Sequence, residues 1–131
     1  MIKFFSKYKI IFYSLNFTLI ILYLFPGSLL GWFIYGDKKM QPQITPDFLI
    51  SSNHFFVFVL ISIIGFLSFI KLKQINFLII YLIILSIALE IFHFIIPNRS
   101  FEWSDLFGNL IGVIIVIFIN NFINKYGQTK K

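Results

Sequence analysis

Long apolar runs constrain this chain more than any other feature. Four segments, residues 8–25, 50–70, 75–96 and 106–123, each approach the length of about 20 helical residues that crosses roughly 30 Å of hydrocarbon. A mean hydropathy of +0.91 with only 12% charged residues is too apolar for a soluble domain of 131 residues. The sequence therefore predicts an all-α integral membrane protein, a four-transmembrane-helix bundle that forms a single domain over residues 1–131.

Breaks between the runs suggest how the helices connect. The first run stops at Pro26-Gly27, a helix-ending pair, and residues 28–36 are apolar but too short to span a membrane. Because this stretch contains Trp and Tyr, we expect an extra short interfacial or re-entrant segment after the first helix. Only residues 71–74 separate the second and third runs, which predicts a tight antiparallel hairpin. No small-residue cleavage site follows the first run, so we expect an uncleaved helix.

Charge placement indicates orientation rather than nucleic-acid binding. The net charge is +6, but the basic residues divide unevenly between the loops. If both termini are cytoplasmic, the inner side carries eight lysines: Lys3, Lys7, Lys9, Lys71, Lys73, Lys125, Lys130 and Lys131. The outer side then has Lys38, Lys39 and Arg99, together with all five acids. This positive-inside bias predicts a multi-pass protein with both termini cytoplasmic and no nucleic-acid partner.

Polar residues concentrate at the outer ends of three predicted helices. The second helix begins with Asn53-His54, the third ends with Glu90 and His93, and the fourth begins with Asp105 and Asn109. Glu90 and His93 are spaced i,i+3 and share one helix face. The sequence therefore predicts a polar cluster at the outer leaflet.

The same faces carry the residues expected to pack. Gly108 and Gly112 have the spacing that lets a neighbouring backbone approach closely, and they share a face with Asp105 and Asn109. The second helix carries a comparable stripe, made of His54, Phe58, Ile61, Gly65 and Ser68.

Glu90 is the least expected residue in an apolar run. It is predicted to lie six positions before the helix end, about 9 Å inside the hydrocarbon, where a carboxyl group must be protonated or face a partner. His54, His93 and Arg99 are the available partners. Two interpretations stay open: a satisfied network that fixes helix register, and a ligand or reaction site.

Arg99 is the one arginine of the chain. Its planar guanidinium suits bidentate binding of a carboxylate or a phosphate. We expect it to clamp Glu102, Asp105 or Glu90, and we keep a lipid phosphate as the alternative.

Other chemistries have weaker support. The absence of cysteine excludes disulfides, thiol catalysis and cysteine-based zinc sites. Glu90-x-x-His93 occurs once, whereas carboxylate-bridged di-metal bundles need two copies. A mononuclear site of His54, Glu90, His93 and Asp105 is conceivable, but the pattern is a weak signal. We therefore expect no metal and no cofactor. The serines near the cluster lie in no nucleophile motif.

These residues together resemble the VanZ-like family of small bacterial membrane proteins. The resemblance runs from about residue 47 to 112, through Asn53-His54-Phe55, Glu90-x-x-His93, Pro97-Asn98-Arg99, Glu102, Asp105 and Asn109-x-x-Gly112. Two positions depart from the family pattern: His93 stands where members typically have Gln, and Ile50-Ser51 replaces an Asp-Lys pair. The resemblance implies a cell-envelope protein of the bacterial cytoplasmic (inner) membrane.

The function expected from the sequence is accessory: binding or shielding a membrane lipid or lipid-linked intermediate at the outer leaflet, or supporting a partner membrane protein. One alternative is a membrane enzyme that uses Glu90 and a histidine, His54 or His93, as acid and base. Another is a purely structural subunit. The candidate ligand-binding residues are His54, Glu90, His93, Arg99, Asp105 and Asn109.

Overall fold

The structure is a computed structural model that describes residues 2–128, with side chains from 8 to 126. This part of the chain forms five α-helices and no strand, as predicted for an all-α protein. Lys130 and Lys131, which enter the charge count above, lie outside the described residues. The helices are α1 (Ile2–Leu24), α2 (Leu29–Tyr35), α3 (Ser52–Ser68), α4 (Leu72–Phe92) and α5 (Trp103–Gln128).

Helix lengths and surfaces identify a membrane protein. Among the described residues, α4 and α5 are each long and apolar enough to cross a bilayer, and α1 with α2 forms a third candidate that bends by 82°. Helix α3, with 17 residues, is shorter than a full span. Large apolar side chains face outward along the candidate spans, such as Phe77 at 75% and Phe118 at 70% exposure. Two or three helices therefore meet the requirements of a transmembrane span, rather than the four predicted.

The end of α4 differs from the prediction. The helix stops at Phe92, and the amides of His93, Phe94 and Ile95 each donate to the carbonyl three residues earlier. Pro97 disfavours helical backbone at the residue before it, so the chain leaves the helix ahead of the proline. The prediction that Glu90 lies six positions from the helix end was therefore wrong, because Glu90 lies in the last turn of α4.

Polar groups collect where α1 and α4 end and α3 and α5 begin, which we call the polar end of the bundle. Residues 69–71 connect α3 to α4, which confirms the short connection predicted between these helices. Pro26-Gly27 ends α1 as predicted, with Gly27 at φ 89°, and the chain then turns into α2. Side chains of α2 such as Phe33 are exposed, so this helix presents an apolar surface beside the polar end.

Helices α3 and α5 run parallel and pack closely through the predicted glycine face. A Cβ added at Gly108 would lie 2.8 Å from the Ser51 carbonyl oxygen, and one at Gly112 would lie 2.7 Å from the Phe55 carbonyl oxygen. Glycine thus lets one backbone contact the next. The predicted stripe on α3 is buried throughout: His54, Phe58, Ile61, Gly65 and Ser68.

The loop between α2 and α3 is fixed over the polar end by the start of α3. Asn53 accepts from the Ile44 amide at 2.8 Å and donates to the Pro42 carbonyl at 2.6 Å. Asp47 accepts from the Ser52 amide at 2.7 Å, which satisfies a donor in the first turn of α3. These bonds hold residues 41–44 as one wall of a cavity.

Candidate functional site

Tyr23, in the last turn of α1, lies at the centre of the polar cluster. Its hydroxyl donates to Asn109 Oδ1 at 2.8 Å and lies 3.0 Å from His54 Nδ1. Its main-chain carbonyl lies 3.2 Å from His93 Nε2. The tyrosine therefore contacts both histidines.

Hydrogen bonds around Asn109 determine the proton on His54. Asn109 Nδ2 donates to the Ser86 carbonyl at 3.1 Å, so Oδ1 is the acceptor that faces Tyr23 and His54. His54 Nδ1, 3.1 Å from Asn109 Oδ1, faces this oxygen and the tyrosine hydroxyl, whose hydrogen is already donated. A proton on Nδ1 fits this arrangement, because its lone pair would otherwise face the Asn109 oxygen. This leaves Nε2 to face Asp105 Oδ2 at 3.3 Å.

His93 and Glu90 repeat this arrangement. His93 Nε2 faces a carbonyl oxygen, which only accepts, so Nε2 is the protonated nitrogen. Its Nδ1 then faces Glu90 Oε2 at 3.2 Å, while Glu90 Oε1 accepts from the Glu102 amide at 3.0 Å. Glu90 is 0% exposed and His93 is 2% exposed.

Each histidine thus turns its second nitrogen toward a carboxylate oxygen. Glu90 Oε2 and His93 Nδ1 are both buried without a hydrogen-bond partner. A lone pair on the ring would repel the carboxylate, so each facing pair needs one proton or one cation between its two residues. The cluster is therefore arranged to hold positive charge at two places.

Arg99 has different partners from those predicted. Its Nε donates to the Phe25 carbonyl at 3.3 Å, and its Nη2 donates to the Leu22 carbonyl at 2.9 Å. The predicted clamp on a carboxylate was wrong, since no acid pairs with Arg99 in the described part of the chain. The arginine instead satisfies carbonyls that the end of α1 leaves without helical partners. Partial burial lowers the pKa of Arg99, but arginine stays charged at neutral pH.

All six predicted site residues lie at the polar end. His54, Glu90, His93 and Asn109 are buried, and Asp105 and Arg99 are partly exposed. Neither Tyr23 nor the Ser86 carbonyl was predicted to belong to the cluster. A tyrosine near the end of an apolar helix usually marks the membrane interface, so the sequence carried no signal that it enters the cluster.

Two cavities adjoin the cluster. The first, about 240 Å³, lies between α1, α2, α3 and residues 41–44, and the surface of its wall is mainly apolar, although the wall includes His54 and Arg99. The second, about 260 Å³, is polar, and its wall includes Lys38 and Asp105. Ser28, Gln41 and Arg99 line both. The cluster can therefore be approached from an apolar side and from a polar side.

Fold and site together define a helical membrane protein with a buried histidine–carboxylate cluster at one end. No protein-family model, curated protein or solved structure matches the chain.

Proposed function

We propose that this chain is a VanZ-like protein of the bacterial cytoplasmic membrane that binds or shields a membrane lipid or lipid-linked envelope intermediate. The observation that carries the proposal is the pair of adjoining cavities. One is lined mainly by apolar groups such as Leu19, Leu22 and Val57, and the other contains Lys38 and Lys39. An amphiphile with an anionic head group fits this division, with its chain in the first cavity and its head group in the second.

Three cations suit the head group. Lys38 Nζ lies 5.0 Å above the centre of the Trp32 ring and 5.5 Å above that of Phe25, and Lys39 lines the same cavity. Arg99 spans both cavities, and its Nη1 has no hydrogen-bond partner among the described residues. Main-chain contacts hold the guanidinium in place while one nitrogen remains for a phosphate oxygen.

The membrane arrangement that we propose has four crossings, with α3 as the shortest. Its 17 residues extend about 26 Å, and its close packing along α5 supports a common depth in the bilayer. The lysine distribution favours cytoplasmic termini and an outward-facing polar end. The exposed apolar side chains of α2 suit an interfacial position for this helix.

Cysteine labelling tests this topology, because the chain has no cysteine of its own. Ser100 and Lys73 are exposed at opposite ends of the bundle. In intact cells, Ser100→Cys is expected to react with a membrane-impermeant maleimide. Lys73→Cys is expected to react only after permeabilisation. Reversed labelling would place the cluster on the cytoplasmic side.

Phosphatidylglycerol retention tests the head-group site. Each lysine near an anionic surface contributes about 1 kcal/mol, so the double variant Lys38→Gln/Lys39→Gln is expected to retain about 30-fold less phosphatidylglycerol. Native mass spectrometry of protein purified in mild detergent measures the bound lipid, with phosphatidylcholine as the uncharged comparison.

The matched control for this experiment is Lys71→Gln/Lys73→Gln, which removes two lysines at the opposite end of the bundle. This variant is expected to retain lipid as the unchanged protein does. An equal loss in both variants would indicate general attraction to anionic lipid. Arg99 variants are less suitable, because losing the bonds to α1 is expected to lower the melting temperature as well.

The geometry of the cluster changes which residues an enzymatic mechanism would use. Glu90 is fully buried, and the described cavity walls do not include it, whereas His54 and Asp105 each reach a cavity. An acid–base reaction on a bound lipid would therefore use His54 with Asp105 rather than Glu90. A purely structural subunit is the other alternative, and it predicts that no lipid is retained selectively.

A further inference from the structure

We propose that His54, Glu90 and Asp105 form a binding site for a divalent transition-metal ion, and that Zn²⁺ suits this set of one imidazole and two carboxylates. One potential ligand atom from each residue lies within 4.8 Å of the other two. The residues come from three helices, α3, α4 and α5, so a bound ion would join their ends. This site is independent of the lipid proposal, and either can fail alone.

Distances within the cluster approach those of a zinc site. With bond lengths of about 2.0–2.1 Å, neighbouring ligand atoms of tetrahedral zinc lie about 3.3–3.4 Å apart. His54 Nε2 and Asp105 Oδ2 are 3.3 Å apart. The ligand atoms of the three residues together span up to 4.8 Å, so metal binding requires the Glu90 carboxylate to move toward the other two.

Neighbouring groups already orient the proposed ligands. Asn109 Oδ1 holds His54 Nδ1 at 3.1 Å, which leaves Nε2 for the metal. The Glu102 amide holds Glu90 Oε1 at 3.0 Å, which leaves Oε2. A hydrogen bond to the far atom of each ligand is the usual way in which proteins fix metal-binding side chains.

The buried carboxylate oxygen independently indicates that positive charge is missing at this place. Glu90 Oε2 is buried without a hydrogen bond, and so is His93 Nδ1 beside it. A carboxylate removed from water without a partner is strongly unfavourable. Arg99 does not supply the missing charge, because it donates to the main-chain carbonyls of Leu22 and Phe25. A divalent ion would satisfy Glu90 and Asp105 together.

A route to the site exists from both cavities. Asp105 borders the polar cavity with 19% of its side chain exposed, and His54 borders the apolar one. Three protein ligands leave one tetrahedral position for water or a bound ligand. In the sequence, a mononuclear site of His54, Glu90, His93 and Asp105 was only a weak signal, whereas the structure brings ligand atoms of three of these residues, from three helices, within 4.8 Å of one another.

Zinc titration of the metal-free protein tests the proposal. Untagged protein is purified in mild detergent, treated with EDTA and titrated with ZnCl₂ by calorimetry. We expect about one zinc per chain.

Asp105→Asn keeps the side-chain size but loses the charged ligand. Because loss of an outer-shell partner costs 10–100-fold in affinity, we expect this variant to bind zinc at least about 100-fold more weakly. Zinc should raise the melting temperature of the original protein and not that of the variant.

Asp37→Asn is the matched control, since Asp37 is exposed and lies outside the cluster. Its zinc affinity should equal that of the original protein. Similar zinc affinity in the original protein and Asp105→Asn, or no binding to the original protein, would overturn the proposal. If Asp105→Asn does not fold, the visible absorption spectrum of the original protein with added Co²⁺ tests the proposal instead. Intense visible absorption supports a tetrahedral site, and the faint spectrum of hydrated Co²⁺ contradicts it.

Discussion

Glu90→Leu is expected to destabilise this protein by about 2–5 kcal/mol, whereas Glu90→Gln should cost less than about 1.5 kcal/mol. Leucine removes the acceptor of the Glu102 amide and leaves His93 Nδ1 facing an apolar group. Glutamine keeps an oxygen for the amide and can turn its NH₂ group toward His93 Nδ1, which accepts in the neutral ring. Thermal unfolding in detergent without metal measures both changes.

Glu102→Leu and Glu102→Gln are the controls for this comparison. Glu102 contributes its main-chain amide to the cluster, while its side chain is exposed and accepts from Ser100 Oγ at 3.3 Å. Both control variants should melt close to the original protein. An equal loss of stability in both Glu90 variants would mean that the site needs the charge of Glu90 rather than its hydrogen bonds. No loss in either would mean that Glu90 faces water.

The buried faces of the helices could largely be predicted from the sequence. The stripe on α3 and the glycine face of α5 follow from helical spacing alone, and the structure places both in one interface. The meeting of His54, Glu90 and Asn109 follows from alternating helix directions, which bring three helix ends together. Periodicity and connectivity are local properties, so a single sequence can carry them.

Contacts that depend on tertiary packing could not be predicted from the sequence. Arg99 bonds to Leu22, 77 positions earlier, and Tyr23 reaches Asn109, 86 positions later. Neither partner carries a motif: the acceptors for Arg99 are main-chain carbonyls, which every residue has, and Tyr23 resembles an interfacial anchor. The carboxylates near Arg99 in sequence therefore appeared to be better partners than the end of α1.

The predicted helix boundaries were wrong for a different reason. Hydropathy identifies the residues that can lie in the hydrocarbon of a membrane. A helix, however, extends as far as its backbone hydrogen bonds continue, which can be beyond the apolar run or short of its end. Helix α1 therefore begins at Ile2 rather than residue 8, and α5 extends to Gln128 rather than residue 123. Helix α4 is shorter than its apolar run, because residues 93–96 form turns before Pro97.

The interface between α3 and α5 gives the second large expected effect. Gly112→Ala adds a methyl group whose carbon would lie 2.7 Å from the Phe55 carbonyl oxygen and 3.1 Å from Phe58 Cβ. Neither atom can move without its helix, so α3 must shift away from α5. Such overpacking costs about 1–3 kcal/mol, which outweighs the gain of up to about 1 kcal/mol from replacing glycine in a helix.

Gly65→Ala is the matched control, because Gly65 is also buried in a helix but faces only side chains. An added Cβ there would lie 3.1 Å from the methyl carbons of Leu78 and from Phe12 Cε2, which can rotate away. We expect this variant to melt near or above the original protein, and Gly112→Ala well below it. The α3 shift should also separate His54 from Asn109, so Gly112→Ala should bind zinc more weakly as well. Equal melting of the two variants would show that close contact between the α3 and α5 backbones does not stabilise the bundle.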